Sequence, residues 1–377
     1  MVFDYSWLIG GPQGSGVDTA ANIFSRVGTK LGYHVFGKRE YHSNIKGLHS
    51  YFVVRLSDNK IRSNVNGANI MVAFDAETMI RHGLSISKNG AIIYDSSIVN
   101  TSIDEIPTIE ADHRVRLHEF FKSKNMEPKV SSIIELAKES GVNVYPISFW
   151  DALSNIADEL KKPELSRMTR MFNVLGVSFS LGVLKAPIAP LLESIEEIFS
   201  TKPTIADLNK KAANFAYNYA SAKFSGFNAS LNETDKEPNI MLVQGHQGSA
   251  LGKMVCGCRF QSYYPITPAS DESEFLETHE ILQVKEDRPG STTIVQTEDE
   301  ISAIGMAVGA SLTGTRSATS TSGPGFSLMA ETLGWAAINE VPVVISLFQR
   351  SGPSTGLPTR HGQDDLLFAI NAGHGEF

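Results

Sequence analysis

Cysteine is nearly absent from this chain, with two residues in 377. Two thiols cannot build a disulfide framework, which fits a reducing compartment. Cys256-Gly-Cys258 also offers too few ligands for an iron–sulfur cluster, and small buried cysteines are the expected reading. Positive charge is not in excess: 33 Lys and Arg stand against 41 Asp and Glu, a formal net charge of −8. The net field that would favour nucleic acid or an anionic membrane is therefore missing. Long hydrophobic runs are missing too. Val341–Phe348 is among the longest, at eight residues, where a membrane-spanning helix needs about 20. The start, MVFDYSWLIGG, lacks the basic region of a secretory signal, so the expectation is a soluble, cytoplasmic protein. No internal repeat or low-complexity tract appears. There is no Gly-Lys-Ser/Thr phosphate loop, no Gly-x-Ser-x-Gly nucleophile elbow, and no paired metal-ligand spacing among the ten histidines.

What is present is an ordinary globular composition, 42% hydrophobic and 20% charged, long enough for two or three domains at roughly 100–200 residues each. Short apolar runs at Ser6–Gly10, Tyr51–Arg55, Ile70–Phe74, Ala91–Tyr94 and Val142–Ile147 read as buried strands. They alternate with helical spacing such as Val17–Gly32, which predicts an α/β fold with a largely parallel sheet. Helices are expected over Arg167–Leu184, Pro190–Phe199 and Leu208–Phe224. Residues 225–239, SGFNASLNETDKEPN, are polar and read as a linker. A second α/β rhythm follows: a strand at Ile240–Gln244, a helix at His246–Gly257, strands at Thr293–Gln296, Ser317–Ser320 and Pro342–Phe348, and a small-residue helix at Glu298–Thr313. The final residues, NAGHGEF, close no helix and form no polar tail, so the expectation is a piece of a longer polypeptide.

Six segments can carry chemistry. Gly10-Gly-Pro-Gln-Gly-Ser-Gly16 joins an expected strand to an expected helix. Glycines there allow close backbone approach, and a helix N-terminus offers N–H groups to an anion; a plain tight turn is the equal alternative. Lys38–His49 mixes cations and small polar residues and suits a phosphate-bearing ligand such as coenzyme A, or else a solvated loop. In Tyr263-Tyr-Pro-Ile-Thr-Pro-Ala-Ser-Asp271 two prolines restrict the preceding residues and hold the Thr267 hydroxyl in one direction. Gln296-Thr-Glu-Asp-Glu-Ile-Ser-Ala-Ile-Gly305 lies where a strand becomes a small-residue helix, so its carboxylates serve either as caps or as a buried proton handler. Thr321–Ser327 and Gln349–Thr359 are glycine-containing loops after strands. Arg350 offers a guanidinium fork for a carboxylate or phosphate. In an open α/β sheet such loops converge at the carboxyl edge, where ligands bind.

Four of these segments, in this order, resemble the alpha subunit of the 2-oxoacid:ferredoxin oxidoreductases: Tyr264-Pro-Ile-Thr-Pro268, Gln296-Thr-Glu298, Thr321-Ser-Gly-Pro-Gly-Phe326 and Gly352-Pro-Ser-Thr-Gly356. Gly10–Gly16, with Arg39-Glu-Tyr41 and Val54-Arg-Leu56, resembles that family's gamma domain. The resemblance covers nearly the whole chain and implies an archaeal-type fusion. A gamma-type α/β domain (1–224) is followed by a linker (225–239) and an incomplete thiamine-diphosphate pyrimidine-binding α/β domain (240–377).

The resemblance implies oxidative decarboxylation of a 2-oxoacid on thiamine diphosphate, acyl transfer to coenzyme A, and electron transfer through iron–sulfur clusters to ferredoxin. Glu298 would hydrogen-bond the aminopyrimidine, with Tyr264 and Pro265 beside the cofactor. Thr267 and Arg350 would clamp the substrate carboxylate, with Thr359 as a further substrate contact. Gly11, Gly14, Gly16, Ser43 and Lys46 would meet coenzyme A. The magnesium–diphosphate signature and cluster cysteines are absent; in this family a beta subunit supplies them, so the chain is expected to work only in a hetero-oligomer such as a heterodimer. Two departures stand out. Gly245-His-Gln-Gly248 replaces the usual Gly-Asn-Glu-Ala, and Gly47-Leu-His49 replaces Gly-Gly-His. Two alternatives stay open: an indolepyruvate or branched-chain 2-oxoacid member of the same superfamily, and a non-catalytic subunit that binds coenzyme A or a nucleotide.

Overall fold

A computed structural model describes residues 3–12, 14–40, 49–159, 171–235, 237, 240–285, 288–350, 352–353, 362 and 364–373. The chain divides into two compact units, Met1–Leu242 and Val243–Phe377, each α/β.

The first unit is built on strands β1 (Asp4–Gly11), β2 (His34–Glu40), β3 (Ser50–Ser57), β4 (Ala68–Ala73), β5 (Ile86–Asp95) and β6 (Asn143–Ile147), in the order β2-β3-β1-β4-β5-β6. β1, β4, β5 and β6 are parallel, and β3 runs antiparallel to both its neighbours. Alternate strand residues face opposite ways, and the core divides accordingly. Trp7, Ile9, Val54, Ile70, Val72 and Ile93 lie in one cluster; Leu8, Val53, Met71, Ala73 and Ile92 lie in the other. The first cluster is covered by α1 (Val17–Lys30), α6 (Phe172–Val183), α7 (Ala189–Ile198) and α8 (Pro203–Lys223). The second is covered by α2 (Ala76–His82), α3 (Ala111–Ser123) and α4 (Val130–Glu139). Helix α5 (Phe149–Glu159) joins the first face through Phe149, Leu153 and Ile156.

Apolar on every side, α6 buries 11 of its 12 residues. That pattern marks a helix covered on all sides rather than a surface stripe. The indole N–H of Trp7 donates to Ser180 Oγ across 2.9 Å and so avoids an unpaired buried donor. Because α1 and α2 leave the ends of adjacent strands β1 and β4 toward opposite faces, those ends form a topological switch point. The start of the helix expected over Arg167–Leu184 falls partly outside the described residues.

Two regions of coil contain apolar residues in different roles. In 225–235, Phe227 and Leu231 are buried in the first unit, and Thr234 N–H donates to Leu31 O at 2.8 Å. Ile240–Gln244, expected as a strand, pairs with no strand among the described residues, and Met241 is 71% exposed. Apolar content alone does not make a strand when no backbone ladder is available.

The second unit has a parallel sheet in the order β10-β7-β11-β12, formed by β7 (Phe260–Tyr263), β10 (Thr293–Gln296), β11 (Ser317–Ser322) and β12 (Val344–Phe348). An antiparallel hairpin, β8 (Ile281–Lys285) and β9 (Arg288–Ser291), stands apart from it. Around the sheet lie α9 (Gly245–Val255), α10 (Ser270–Glu277), α11 (Glu300–Leu312), α12 (Gly323–Ile338) and the short α13 (Leu366–Ile370). Thr321–Ser327, read as a loop, instead ends β11 and enters α12 directly, with Pro324 in its first turn, a position proline tolerates because that N–H has no helical partner.

Candidate functional site

The four strands of the second sheet release their chains at one edge. Residues after Tyr263, Gln296, Ser322 and Phe348 therefore meet there. Arg350 Nη1 donates to the backbone carbonyl of Thr267 at 2.9 Å, and Ser322 Oγ donates to the same oxygen at 3.3 Å. The loop after β7 is thus tied to the segments after β11 and β12. Thr267, Tyr264 and Pro265 are exposed at this edge. The loop after β10 joins them, because Thr297 N–H donates to Tyr263 O at 2.9 Å. Thr359 lies outside the described residues.

The three consecutive acids of Gln296–Glu300 have different environments. Glu298 is exposed. Asp299 is the cap: its side chain accepts from Ser302 N–H at 2.6 Å at the start of α11. That hydrogen bonding holds its carboxyl below the usual carboxylate range. Glu300 is the buried member, packed where a side chain on Gly325 would stand. Capping and exposure therefore fall to neighbouring residues, a division that sequence could not make. Nearby, burial and the hydrogen bond to Glu277 (2.8 Å) push the Tyr263 phenol up to about 12.

Beneath the edge lies a polar cluster that sequence reasoning missed. Lys253 of α9 pairs with fully buried Glu272 of α10 at 2.6 Å and donates to Gln261 Oε1 of β7 at 2.8 Å. Glu272 Oε1 also accepts from Ser249 Oγ and, at 3.2 Å, from Ser346 Oγ of β12. Gln261 Nε2 donates to Ser273 Oγ at 2.7 Å, and Ser273 shares a 2.9 Å bond with Ser320 of β11. Burial lowers the Lys253 ammonium despite its partner. Such residues read as surface in a sequence; only the strand SATSTS, polar but for Ala318 and buried throughout, hinted at a polar interior.

At the switch point of the first unit, the glycine loop has internal reasons for most of its glycines. A side chain at Gly10 would meet Thr78 and His49, one at Gly11 would meet Phe74 at 3.1 Å, and one at Gly16 would meet Asn173 at 2.6 Å. Gly16 is also the α1 N-cap at φ 83°. Gly14, at φ 89°, has nothing within 4 Å and is the open member. Ser43 and Lys46 lie outside the described residues. Arg39 pairs with Asp18 at 2.7 Å in the first turn of α1. Next to Gly10, His49 Nε2 and His82 Nε2 are 3.0 Å apart, with the Tyr51 ring 4.4 Å from the His82 ring. Burial lowers His82 to about 4, with the Arg81 cation adding to the effect.

Among the described residues no group of three or more His, Cys, Asp or Glu side chains is arranged to hold a metal. Cys258 is buried, and Cys256 is exposed because it closes α9 at the surface, which corrects the expectation that both are buried. Among those residues, too, no helix is long and apolar enough to cross a membrane.

Two α/β units, the second with its strand-end loops gathered at one edge, match two family profiles. One, described as "Pyruvate ferredoxin/flavodoxin oxidoreductase", covers residues 6–219; the other, "Pyruvate flavodoxin/ferredoxin oxidoreductase, thiamine diP-bdg", covers 251–375. The chain belongs to the pyruvate ferredoxin/flavodoxin oxidoreductase family. Within it, the chain is 43% identical to 2-oxoacid:ferredoxin oxidoreductase 1, subunit alpha, of Sulfurisphaera tokodaii, over 99% of this chain and 59% of that one. It is likewise 43% identical to the 2-oxoacid:ferredoxin oxidoreductase subunit alpha of Saccharolobus solfataricus, over 99% of this chain and 58% of that one. The structure of 2-oxoglutarate:ferredoxin oxidoreductase from Magnetococcus marinus, with 2-oxoglutarate, coenzyme A and succinyl-CoA bound, superposes with a TM-score of 0.73 at 26% identity, covering 99% of this chain and 57% of that one. The chain thus spans a little under three fifths of the length of these relatives.

Proposed function

We propose that this chain is part of a cytoplasmic 2-oxoacid:ferredoxin oxidoreductase that converts a 2-oxoacid and coenzyme A to acyl-CoA and carbon dioxide. The observation that carries the reading is the meeting of the Thr267 and Arg350 segments at the edge where the Glu298 segment also ends. Arg350 binds the substrate carboxylate through its guanidinium, and the Thr267 hydroxyl orients it; holding a reactant in place is itself a large part of catalysis. Thr359 is a further substrate contact.

The chain's own residues fit the pyrimidine half of thiamine diphosphate. Glu298 presents an exposed carboxylate at a strand end, beside the exposed Tyr264 and Pro265. When bound, the cofactor supplies the nucleophilic carbon and electron sink for decarboxylation. Glu298 would share a proton with the pyrimidine ring nitrogen in a charge-assisted hydrogen bond and hold it there. A beta subunit would contribute the diphosphate–magnesium site and a 4Fe-4S cluster, which would supply the path for electrons to ferredoxin. Coenzyme A approaches the first unit at the Gly11–Gly16 loop, with Ser43 and Lys46 as further contacts; at Gly14 a side chain would meet nothing within 4 Å, so the backbone there is open to a ligand.

The test is anaerobic viologen reduction by the native complex with pyruvate, 2-oxobutyrate, 2-oxoglutarate or indolepyruvate. Reduction requiring both coenzyme A and one oxoacid supports the reading and names the substrate. A complex that holds thiamine diphosphate and iron yet reduces nothing with any oxoacid overturns it.

A further inference from the structure

Thr267 and Arg350 sit on segments anchored separately, one leading into α10 and the other leaving β12. A clamp made of two such arms works only if the arms keep their register, since small misplacements of binding groups cost large factors in rate. The Arg350–Thr267 hydrogen bond at the surface is one tie. Another lies beneath it. Glu272, five residues after Thr267, takes hydrogen bonds from Ser249 of α9 and from Ser346 of β12, four residues before Arg350. Lys253 pairs with it at 2.6 Å, and Gln261 of β7, the strand that leads to Thr267, bonds to both partners.

We propose that Glu272, held by Lys253 and bonded to Ser346, is a positioning residue that sets the spacing between the Thr267 and Arg350 arms of the oxoacid clamp. The inference rests on the proposed function. Its physical basis is that Glu272 is fully buried and paired with Lys253. A buried carboxylate needs its hydrogen bonds, so it fixes the groups that supply them. Apolar packing of the same volume would hold these elements less directionally. Of its partners, Ser346 is the one on the strand that leads to Arg350. Losing that hydroxyl removes the side-chain tie between Glu272 and β12, which keeps its ladder to β11, and leaves the Lys253–Glu272 pair intact.

The experiment uses the whole complex with its active oxoacid. Ser346→Ala is expected to raise KM for the oxoacid about five- to tenfold. The value of kcat should stay within about twofold, KM for coenzyme A should not move, and thermal stability should change by less than about 2 °C. Ser346→Thr, which keeps a hydroxyl, should restore the oxoacid KM. Glu272→Gln alone strands the buried Lys253 cation and risks unfolding. The paired variant Lys253→Met with Glu272→Gln removes both charges together and should shift the same KM by at least as much. Unmoved oxoacid KM in both Ser346→Ala and the paired variant overturns the positioning role. So does a parallel rise in KM for coenzyme A with a loss of thermal stability, which would mark general loosening. Inactivity of the unmutated complex with every oxoacid overturns the functional reading and the clamp with it; an active parent with unmoved variants overturns the positioning role alone.

Discussion

The Arg350 guanidinium donates to the backbone carbonyl of Thr267, not to its hydroxyl. The hydroxyl is thereby left for a ligand, while the arginine is oriented by a group that no side-chain substitution at position 267 removes. A guanidinium fork carries five donors, so one bond to a carbonyl does not by itself use up its capacity for a carboxylate.

Arg350→Ala should therefore raise KM for the oxoacid about 30- to 100-fold, the scale of a lost charge-assisted pair, with protein fold unchanged by circular dichroism. Arg350→Lys should recover only part of this, because a single ammonium cannot bond Thr267 O and a carboxylate in the same fork geometry. Steady-state kinetics at saturating coenzyme A reads the effect, and an unchanged oxoacid KM in Arg350→Ala removes Arg350 from the clamp.

Glu298 is exposed and holds no structural cap, since Asp299 performs that role. Glu298→Ala should abolish dye reduction while changing stability by no more than about 0.5 kcal/mol, as for other surface substitutions. Asp299→Ala should show the reverse, costing about 1 kcal/mol by loss of the α11 cap with activity largely kept. Melting curves and turnover measured on the same two preparations decide this, and normal turnover in Glu298→Ala excludes it from the chemistry.

The sequence was most readable where one rule acted alone. β1, the Gly10–Gly16 turn and α1 follow from an apolar run, glycines and helical spacing, and the structure places them there. β7 was overlooked because Gln261 and Ser262 interrupt its apolar content, yet both are fully buried and satisfied by side-chain bonds. Glu272 and Lys253 carry no motif that marks them, because burial of a pair is set by tertiary partners distant in sequence. Ile240–Val243 shows the opposite error: strand-like composition without a neighbouring strand. At the candidate site, motifs drew attention to Thr267, Glu298 and Arg350. They gave no sign that Arg350 would meet the Thr267 carbonyl or that Ser346 would lie behind it.

The glycine loop separates packing from binding. Gly16→Ala must accommodate both φ 83° and a Cβ 2.6 Å from Asn173 Nδ2, so a loss of about 2–3 kcal/mol is expected from strain and overpacking. Gly14→Ala meets nothing within 4 Å and should cost only about 1 kcal/mol, for its left-handed backbone. If coenzyme A approaches this loop, Gly14→Ala should raise its KM several-fold while leaving the oxoacid KM alone. Equal stability losses in the two variants would contradict the packing assignment, and an unchanged coenzyme A KM in Gly14→Ala would contradict the binding one.

His82 makes the first unit sensitive to acid. Burial lowers its folded-state value to about 4 from an ordinary 6.5, so the unfolded chain binds a proton more readily than the folded one. Between those two values the unfolded state carries more protons, and stability must rise with pH. The contribution is fully present above about pH 6.5 and is lost as pH falls toward 4. At roughly 1.4 kcal/mol for each pKa unit, the loss across that window is about 3 kcal/mol. The geometry agrees with a neutral ring: His49 Nε2 lies 3.0 Å from His82 Nε2, so one ring donates and the other must accept. His82→Gln keeps a polar side chain but cannot titrate. Urea melts at pH 7.0, 5.5 and 4.5 should then show a shallower decline in stability for the variant than for the parent, by about 1 kcal/mol or more between the first and last. Identical slopes in the two proteins would show that His82 is not the group that couples this fold to acid.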